Sequence, residues 1–174
     1  MVDRQRRAVL AAVVIAPFAQ AGAWGGAPWP AWKTPPGWTD TRGGAGGKTF
    51  RVTSLAAAGP GSLAEALAAE EPRLIEFAAG GTINLGGRTL RIARPFITIA
   101  GETAPSPGIT IQDGGISIST HDVIVRHIRV RAGGGPDARK REGSIDGIST
   151  TGGARDVIVD HCSIAWASDE NLSA

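Results

Sequence analysis

The chain has one cysteine, Cys162, among 174 residues, so no disulfide within it is possible. It has no apolar run long enough to cross a bilayer, since the leading candidate, Ala8 to Ala16, is too short. It also has little charge to offer a nucleic acid. The formal net charge of +2 comes from Arg4, Arg6 and Arg7 set against Asp3, all within the first 23 residues, and the remainder of the chain is about neutral. Finally, its short apolar runs stand too close together to leave room for crossover helices. A doubly wound α/β sheet is therefore disfavoured.

The N-terminus reads as an address. Arg4, Arg6 and Arg7 precede the apolar run, and Pro17 and small residues come after it, ending Ala21-Gly-Ala23. This is the pattern of a secretory signal peptide spanning 1–23, which predicts a secreted or periplasmic protein with no membrane segment in its mature form. The pair Arg6-Arg7 invites a twin-arginine reading, which the surrounding residues fit poorly. Residues 24–47 form an arm or linker rich in Trp, Pro and Gly, with Trp24, Trp29, Trp32 and Trp38. An exposed strip of indoles would stack on sugar rings; the simpler expectation is an arm whose indoles pack over the core. Further on, Ser62-Leu-Ala-Glu65 is a capping box, and Leu63, Ala66 and Leu67 give one apolar face, so a short helix is predicted there.

From residue 74 onward short β-branched runs recur, among them Leu74–Phe77, Thr82–Leu85, Ile97–Ile99, Ile109–Ile111 and Ile116–Ile118, with Gly, Pro, Asn or Asp between them. One of them repeats without a gap: Asp122-Val-Ile-Val-Arg-His-Ile-Arg-Val130 returns 34 residues later as Asp156-Val-Ile-Val-Asp-His-Cys-Ser-Ile164. Short strands in register with themselves indicate a solenoid, here an all-β, right-handed parallel β-helix with coils of roughly 20–35 residues. An antiparallel sandwich, which also tolerates short connections, remains open. The side-chain parity carries more detail. Val157 and Val159 share one face, Cys162 and Ile164 share another of opposite parity, and a one-residue corner at His161 reconciles them. His tolerates left-handed geometry. On this reading Val123, Val125, Ile128 and Val130 point inward, as do Val157, Val159, Cys162 and Ile164, while Arg126, Arg129, Arg131, Asp160 and Ser163 point outward. His127 and His161 are then corner residues before they are catalysts, and the predicted helix caps the first coil, whose apolar edge needs cover.

Four acids are candidate ligands for a hard divalent cation: Asp146, Asp160, Asp169 and Glu170. Stacked coils can bring outward carboxylates of neighbouring turns together. The plainer alternatives are that Asp160 pairs with Arg126 one coil away, and that Asp146, in Ser144-Ile-Asp-Gly147, is a turn residue.

Several stretches together resemble the pectate lyase family of polysaccharide lyases, in its secreted bacterial branch. They are Arg51-Val-Thr-Ser-Leu55 with Gly59-Pro-Gly-Ser-Leu63, Gly81-Thr-Ile83, Ile97-Thr-Ile-Ala-Gly-Glu-Thr-Ala-Pro105, Val123-Ile-Val-Arg126, and Val159-Asp-His-Cys-Ser163 with Trp166 and Asp169-Glu-Asn-Leu-Ser173. The resemblance runs from Thr49 to Ala174. It implies a parallel β-helix acting on pectate or polygalacturonate by Ca2+-dependent β-elimination. It also implies that Asp160 is a calcium ligand, with Asp169 and Glu170 where further acidic ligands fall. Ser173 stands where the family often has a second acid of that set. Trp166 is expected to pack rather than to stack on sugar. The family's proton-abstracting Arg is expected beyond residue 174, so residues 48–174 read as the N-terminal coils of a lyase truncated at its C-terminal end, with no catalytic base assigned. Such a chain is expected to be a monomer unless a second chain completes the helix. Two rival classes remain: a β-helical hydrolase of the polygalacturonase type, which needs paired carboxylates instead of a metal, and a non-catalytic secreted β-helix that binds acidic polysaccharide.

Overall fold

The computed structural model describes residues 39–133 and 144–174. The predicted signal peptide and the Trp-bearing part of the arm, 24–38, lie outside the described residues. Among the described residues thirteen short strands and one α-helix are assigned in the order β1 (Lys48–Val52), α1 (Leu63–Ala68), β2 (Arg73–Phe77), β3 (Gly81–Asn84), β4 (Leu90–Ile92), β5 (Ile97–Ala100), β6 (Ile109–Gln112), β7 (Ile116–Ile118), β8 (His121–Arg126), β9 (Ile128–Arg131), β10 (Ile148–Thr150), β11 (Arg155–Asp160), β12 (Ser163–Ala165) and β13 (Leu172–Ser173). They form three sheets: sheet A in the order β1-β2-β5-β8-β11, sheet B in the order β12-β9-β6-β3 and sheet C in the order β13-β10-β7-β4. From β2 onward the chain visits A, B and C in turn. Each return to a sheet adds one parallel strand beside the previous one.

The expected coil length holds. Arg73 pairs with Ile97, Ile97 with Val123 and Val123 with Val157, so the 34-residue repeat is one turn of the solenoid. Inside, like sits on like. Ile75, Ile99, Val125 and Val159 stack in sheet A, Ile83, Ile111, Val130 and Ile164 in sheet B, and Leu90, Ile116 and Ile148 in sheet C, where Leu172 of the last strand continues the column but is 56% exposed. Most of these residues belong to one core cluster. Such columns of branched side chains remove apolar surface from water all along the axis, at about 25 cal/mol per Å2.

The corner predicted from parity is present: His127 and His161 have φ of 53° and 50°. A second corner column, Phe96, Asp122 and Asp156, also lies at positive φ, at 55–56°. Carboxylates in this column are put to use. Thr41 Oγ1 donates to Asp122 Oδ1 at 2.6 Å, Thr39 Oγ1 donates to Asp156 Oδ1 at 2.8 Å, and the Gly44 amide donates to Thr98 Oγ1 at 3.0 Å. Residues 39–47 are thus a strap that runs along the solenoid axis over the outer side of sheet A, crossing successive coils. Gly44 is forced by this contact, because a Cβ there would stand 1.7 Å from the Arg73 carbonyl oxygen.

The Thr41 hydroxyl is the first cause of a lowered Asp122 pKa, and His121 adds to it through its Nδ1, 2.8 Å from Asp122 Oδ2. A carboxyl held below its ordinary 3.8 stabilises the fold above that pH, and the contribution disappears as acid takes the pH down through the folded value. Thr41→Val is expected to cost about 1 kcal/mol at neutral pH. Denaturant melts of wild type and variant should draw together below pH 3.8 without merging, because Thr41 Oγ1 also accepts from the buried Gly43 amide at 3.1 Å and that loss does not depend on pH; a gap that stays constant down to pH 2 would place the whole cost there.

The capping helix forms as read, with one change of partner. Ser62 accepts from the Glu65 amide at 3.3 Å, but the Glu65 carboxylate turns to the Gly61 amide at 2.6 Å, because the Ser62 amide is already held by the Gly59 carbonyl at 3.2 Å. Leu63, Ala66 and Leu67 are buried against the first coil. The other end of the helix is closed from inside. Arg73, with no exposed surface, donates to the carbonyls of Ala66, Leu67 and Glu71 at 3.0, 2.8 and 3.2 Å.

Candidate metal and substrate site

The outward carboxylates fall at two corners of the solenoid, one on each side of sheet B. At the corner from B to C, Asp146 and Gly147 lead into β10, and Asp169, Glu170 and Asn171 lead into β13. Ile148 pairs with Leu172, the Gly147 amide donates to the Glu170 carbonyl at 2.9 Å, and the Ile148 amide donates to the Asn171 carbonyl at 3.0 Å. Carried back two places, this register sets Glu170 beside Asp146, one coil apart in the same column. Gly147 permits the approach, since a Cβ there would meet the Asn171 carbonyl oxygen at 2.4 Å and the Ile164 side chain at 2.3 Å. The loop from 166 to 171 is tied down on both flanks. Ser168 exchanges two hydrogen bonds with the Ile145 backbone, at 2.8 and 3.1 Å, and Asn171 Oδ1 accepts from the Ala167 amide at 3.2 Å. Asp146 is half-buried, while Asp169 and Glu170 are exposed.

At the corner from A to B the surroundings are different. Asp160 ends β11 in register with Arg126 and, one coil further, Ala100. Its side chain is 12% exposed. Oδ1 lies 2.6 Å from His161 Nδ1, and the buried Oδ2 has no hydrogen-bond partner among the described residues. The His161 ring stacks on that of His127 at 4.8 Å. Arg126 is nearly buried and ion-paired with Glu102. Burial lowers the Arg126 pKa, and the charges of Glu102 and then Asp160 work against that. Arg126 therefore bonds to Glu102, and Asp160 acts on it through its field. Glu102 was missed as a partner in the sequence, although it lies in the quoted stretch Ile97–Pro105. The register that puts Ala100 beside Arg126 is the signal that would have found it.

The four acids expected to converge are thus divided. The strand β12, Ser163–Ala165, separates the two corners by roughly 10 Å of extended chain. Asp160 does not join Asp146, Asp169 and Glu170, and among the described residues no group of three or more His, Cys, Asp or Glu gathers where a metal ion would sit. The physical reason is the left-handed corner at His161, which turns the chain away immediately after Asp160.

Two further expectations concern single residues. Cys162 packs against the core with its Sγ near the Val125 and Asp160 carbonyls, and burial pushes the thiol pKa up, so it stays a protonated, inert hydrophobe. Trp166 does not pack inward as expected. It is 64% exposed, at φ 65°, with its ring 5.7 Å from the Arg131 guanidinium. Among the described residues no helix is long and apolar enough to cross a membrane. A shallow hollow between α1 and β4, lined by Ala57, Ala64, Leu67, Leu85 and Leu90, presents no carboxylate.

Three parallel sheets visited in rotation define the class: the protein is a parallel β-helix. Among solved structures, the crystal structure of Jun a 1, the major allergen from cedar pollen, superimposes with a TM-score of 0.61 at 22% identity, covering 76% of this chain and 42% of that one; this likeness concerns the fold. In sequence, the chain is 44% identical over 132 residues to the probable pectate lyase C of Emericella nidulans, and 40% identical over the same length to that of Aspergillus fumigatus. Each alignment covers 75% of this chain. The probable pectate lyase C of Neosartorya fischeri is 40% identical over 135 residues. The similarity to the pectate lyase family is therefore shown over these residues, and the relatives named are fungal. The chain spans only 29–30% of their length. No family model matches the chain.

Proposed function

We propose that this chain supplies the N-terminal coils of a secreted, calcium-dependent pectate lyase, and that its contribution to the site is the carboxylate column at the corner from B to C. The observation that carries this reading is the register that sets Glu170 beside Asp146, within a chain 44% identical over 132 residues to a probable pectate lyase C.

Asp146, Glu170 and Asp169 offer the hard oxygen donors that Ca2+ takes, and two or three carboxylates leave most of its six to eight positions to water and to substrate carboxylate. The donor set fits as part of a site. Asp160 is left out, because its charge is already met by the Arg126 field and the His161 ring. When bound, the cation would act as a Lewis acid on the uronate carboxylate, making the neighbouring C5 proton easier to remove. This chain's own residues do the holding. The Gly147 approach and the Ser168–Ile145 and Asn171–Ala167 bonds hold the backbone that carries Asp146 and Glu170, which supports a spacing set before any ligand arrives. No side chain among the described residues is assigned the proton. Arg126 is buried in its pair with Glu102.

The test is calcium titration of the full chain by calorimetry. Asp146→Asn and Glu170→Gln should each weaken binding about tenfold or more, while Asp160→Asn, if it remains folded, should not. Equal weakening by Asp160→Asn in a folded protein would overturn the assignment. In parallel, the ultraviolet absorbance of unsaturated uronide should stay flat with polygalacturonate and Ca2+. A rise abolished by Asp146→Asn would mean that this chain contains its own base. The non-catalytic alternative predicts polymer binding that neither carboxylate variant alters.

A further inference from the structure

We propose that Arg131 and Trp166 form a subsite for a single uronate residue of an acidic polysaccharide, beside the Asp146–Glu170 column. This deepens the pectate reading and rests on it. The inference starts from the exposure of Trp166. A large aromatic ring left 64% exposed on a residue at φ 65° is held there by its surroundings, because bulky residues adopt that geometry only under constraint. The constraint is visible: the loop that carries Trp166 is fastened to Ile145 through Ser168, and closed by the Asn171 side chain on Ala167.

Arg131 is fixed as well. Its Nη1 donates to the Val130 and Ser163 carbonyls at 2.9 and 2.8 Å, and its Nη2 donates to Ser163 Oγ at 3.0 Å. These bonds spend the end of the guanidinium. Among the described residues its Nε–H has no protein partner, and that edge, with the second Nη2 proton, is the two-pronged face that matches a carboxylate. Arg129, which points to the same side of sheet B, is spent on Thr110 and the Pro107 carbonyl and offers no such edge.

A galacturonate ring has the complementary pair of features, a carboxylate on C5 and an apolar C–H face. Indole stacks on the face and the free guanidinium edge holds the carboxylate. Neither side chain needs to be ordered on binding, so less entropy is lost than with mobile groups. A neutral hexose would keep the stacking and lose the ion pair. Coils stack along the axis, so a further coil added to β12 would leave this outer face of sheet B open.

The experiment is titration of the full chain with trigalacturonate and, separately, with neutral galactotriose, both in chelator so that no metal contributes. The wild type should bind the acidic trisaccharide about tenfold or more tightly than the neutral one. Trp166→Ala and Arg131→Gln should each remove about tenfold or more of that affinity. Arg131→Lys, which keeps the charge without the fork, guards against loss of fold in the other two and should remain well below wild type. Circular dichroism checks each variant. Unchanged affinity in folded Trp166→Ala, or wild-type affinity in Arg131→Lys, would overturn the subsite while leaving the pectate reading standing. If the wild type binds neither trisaccharide, and binds no polygalacturonate when Ca2+ is restored, both fall together.

Discussion

Arg126→Met should lower the unfolding free energy by about 3–5 kcal/mol, the range for removing one partner of a buried charge cluster. The side chain is 5% exposed and lies between two carboxylates of different standing. Glu102 is its ion-pair partner and is 30% exposed, so without Arg126 it recovers part of its hydration. Asp160 is more deeply placed, and its buried Oδ2 has no hydrogen-bond partner among the described residues. That oxygen depends on the nearby guanidinium field, and its loss accounts for most of the expected cost. The prediction is sharper as a cycle. Glu102→Gln alone should cost less than Arg126→Met, and the double variant should cost somewhat less than the two added, because the Glu102 charge that Arg126→Met leaves unpaired is gone while that of Asp160 stays. Urea melts of the four proteins decide it. Additive costs, or a loss under 1 kcal/mol for Arg126→Met, would mean that the cluster is solvated.

The second large effect is expected at Arg73. Arg73→Met keeps most of the volume and removes three hydrogen bonds, leaving the carbonyls of Ala66 and Leu67 with no donor where they meet the core. An unsatisfied buried acceptor costs about 1–3 kcal/mol, so a total of about 3 kcal/mol or more is expected. Burial lowers the Arg73 pKa, with Glu71 as its first electrostatic support. Arg73→Lys should not restore stability, because a single ammonium cannot reach acceptors that a planar fork spans. The loss should be local first. Hydrogen exchange in Leu63–Ala68 should accelerate before that in β8 and β9, since α1 covers the end of the solenoid and the later coils hold one another. Uniform acceleration along the chain would show that α1 and the coils unfold as one unit.

The solenoid was legible because a 34-residue offset that pairs Val123 with Val157 leaves the same signature in sequence and in space. The His161 corner was legible for a similar reason, since side-chain parity conflicts on its two sides and one left-handed residue removes the conflict. The capping helix was fixed by Ser62 and its apolar stripe. Other features carry no such periodicity. The strap hydrogen bonds of Thr39 and Thr41 join residues that no spacing relates. Glu102 reaches Arg126 from a turn, where strand alternation has stopped counting. The division of the acids was hidden because parity says which side chains face outward and not at which corner they stand. Asp160 and Glu170 both point out, yet β12 lies between them. Trp166 was misread because aromatic residues near a core motif are usually part of the core, and its orientation is set by the left-handed turn at its own position.

The strap also constrains the order of events in folding. Each coil of a solenoid can form against the one before it, through contacts a few tens of residues apart. Thr39 and Asp156 are separated by 117 residues, and their bond has nothing to close upon until β11 is in place. A chain that emerges N-terminus first can therefore lay residues 39–47 down only stepwise, Gly44 once Thr98 is in place, Thr41 once Asp122 is, and the Thr39 end only when the winding has passed Asp156. The part of the protein made early is the part that docks late, so the seated strap records that the coils beneath it have been completed.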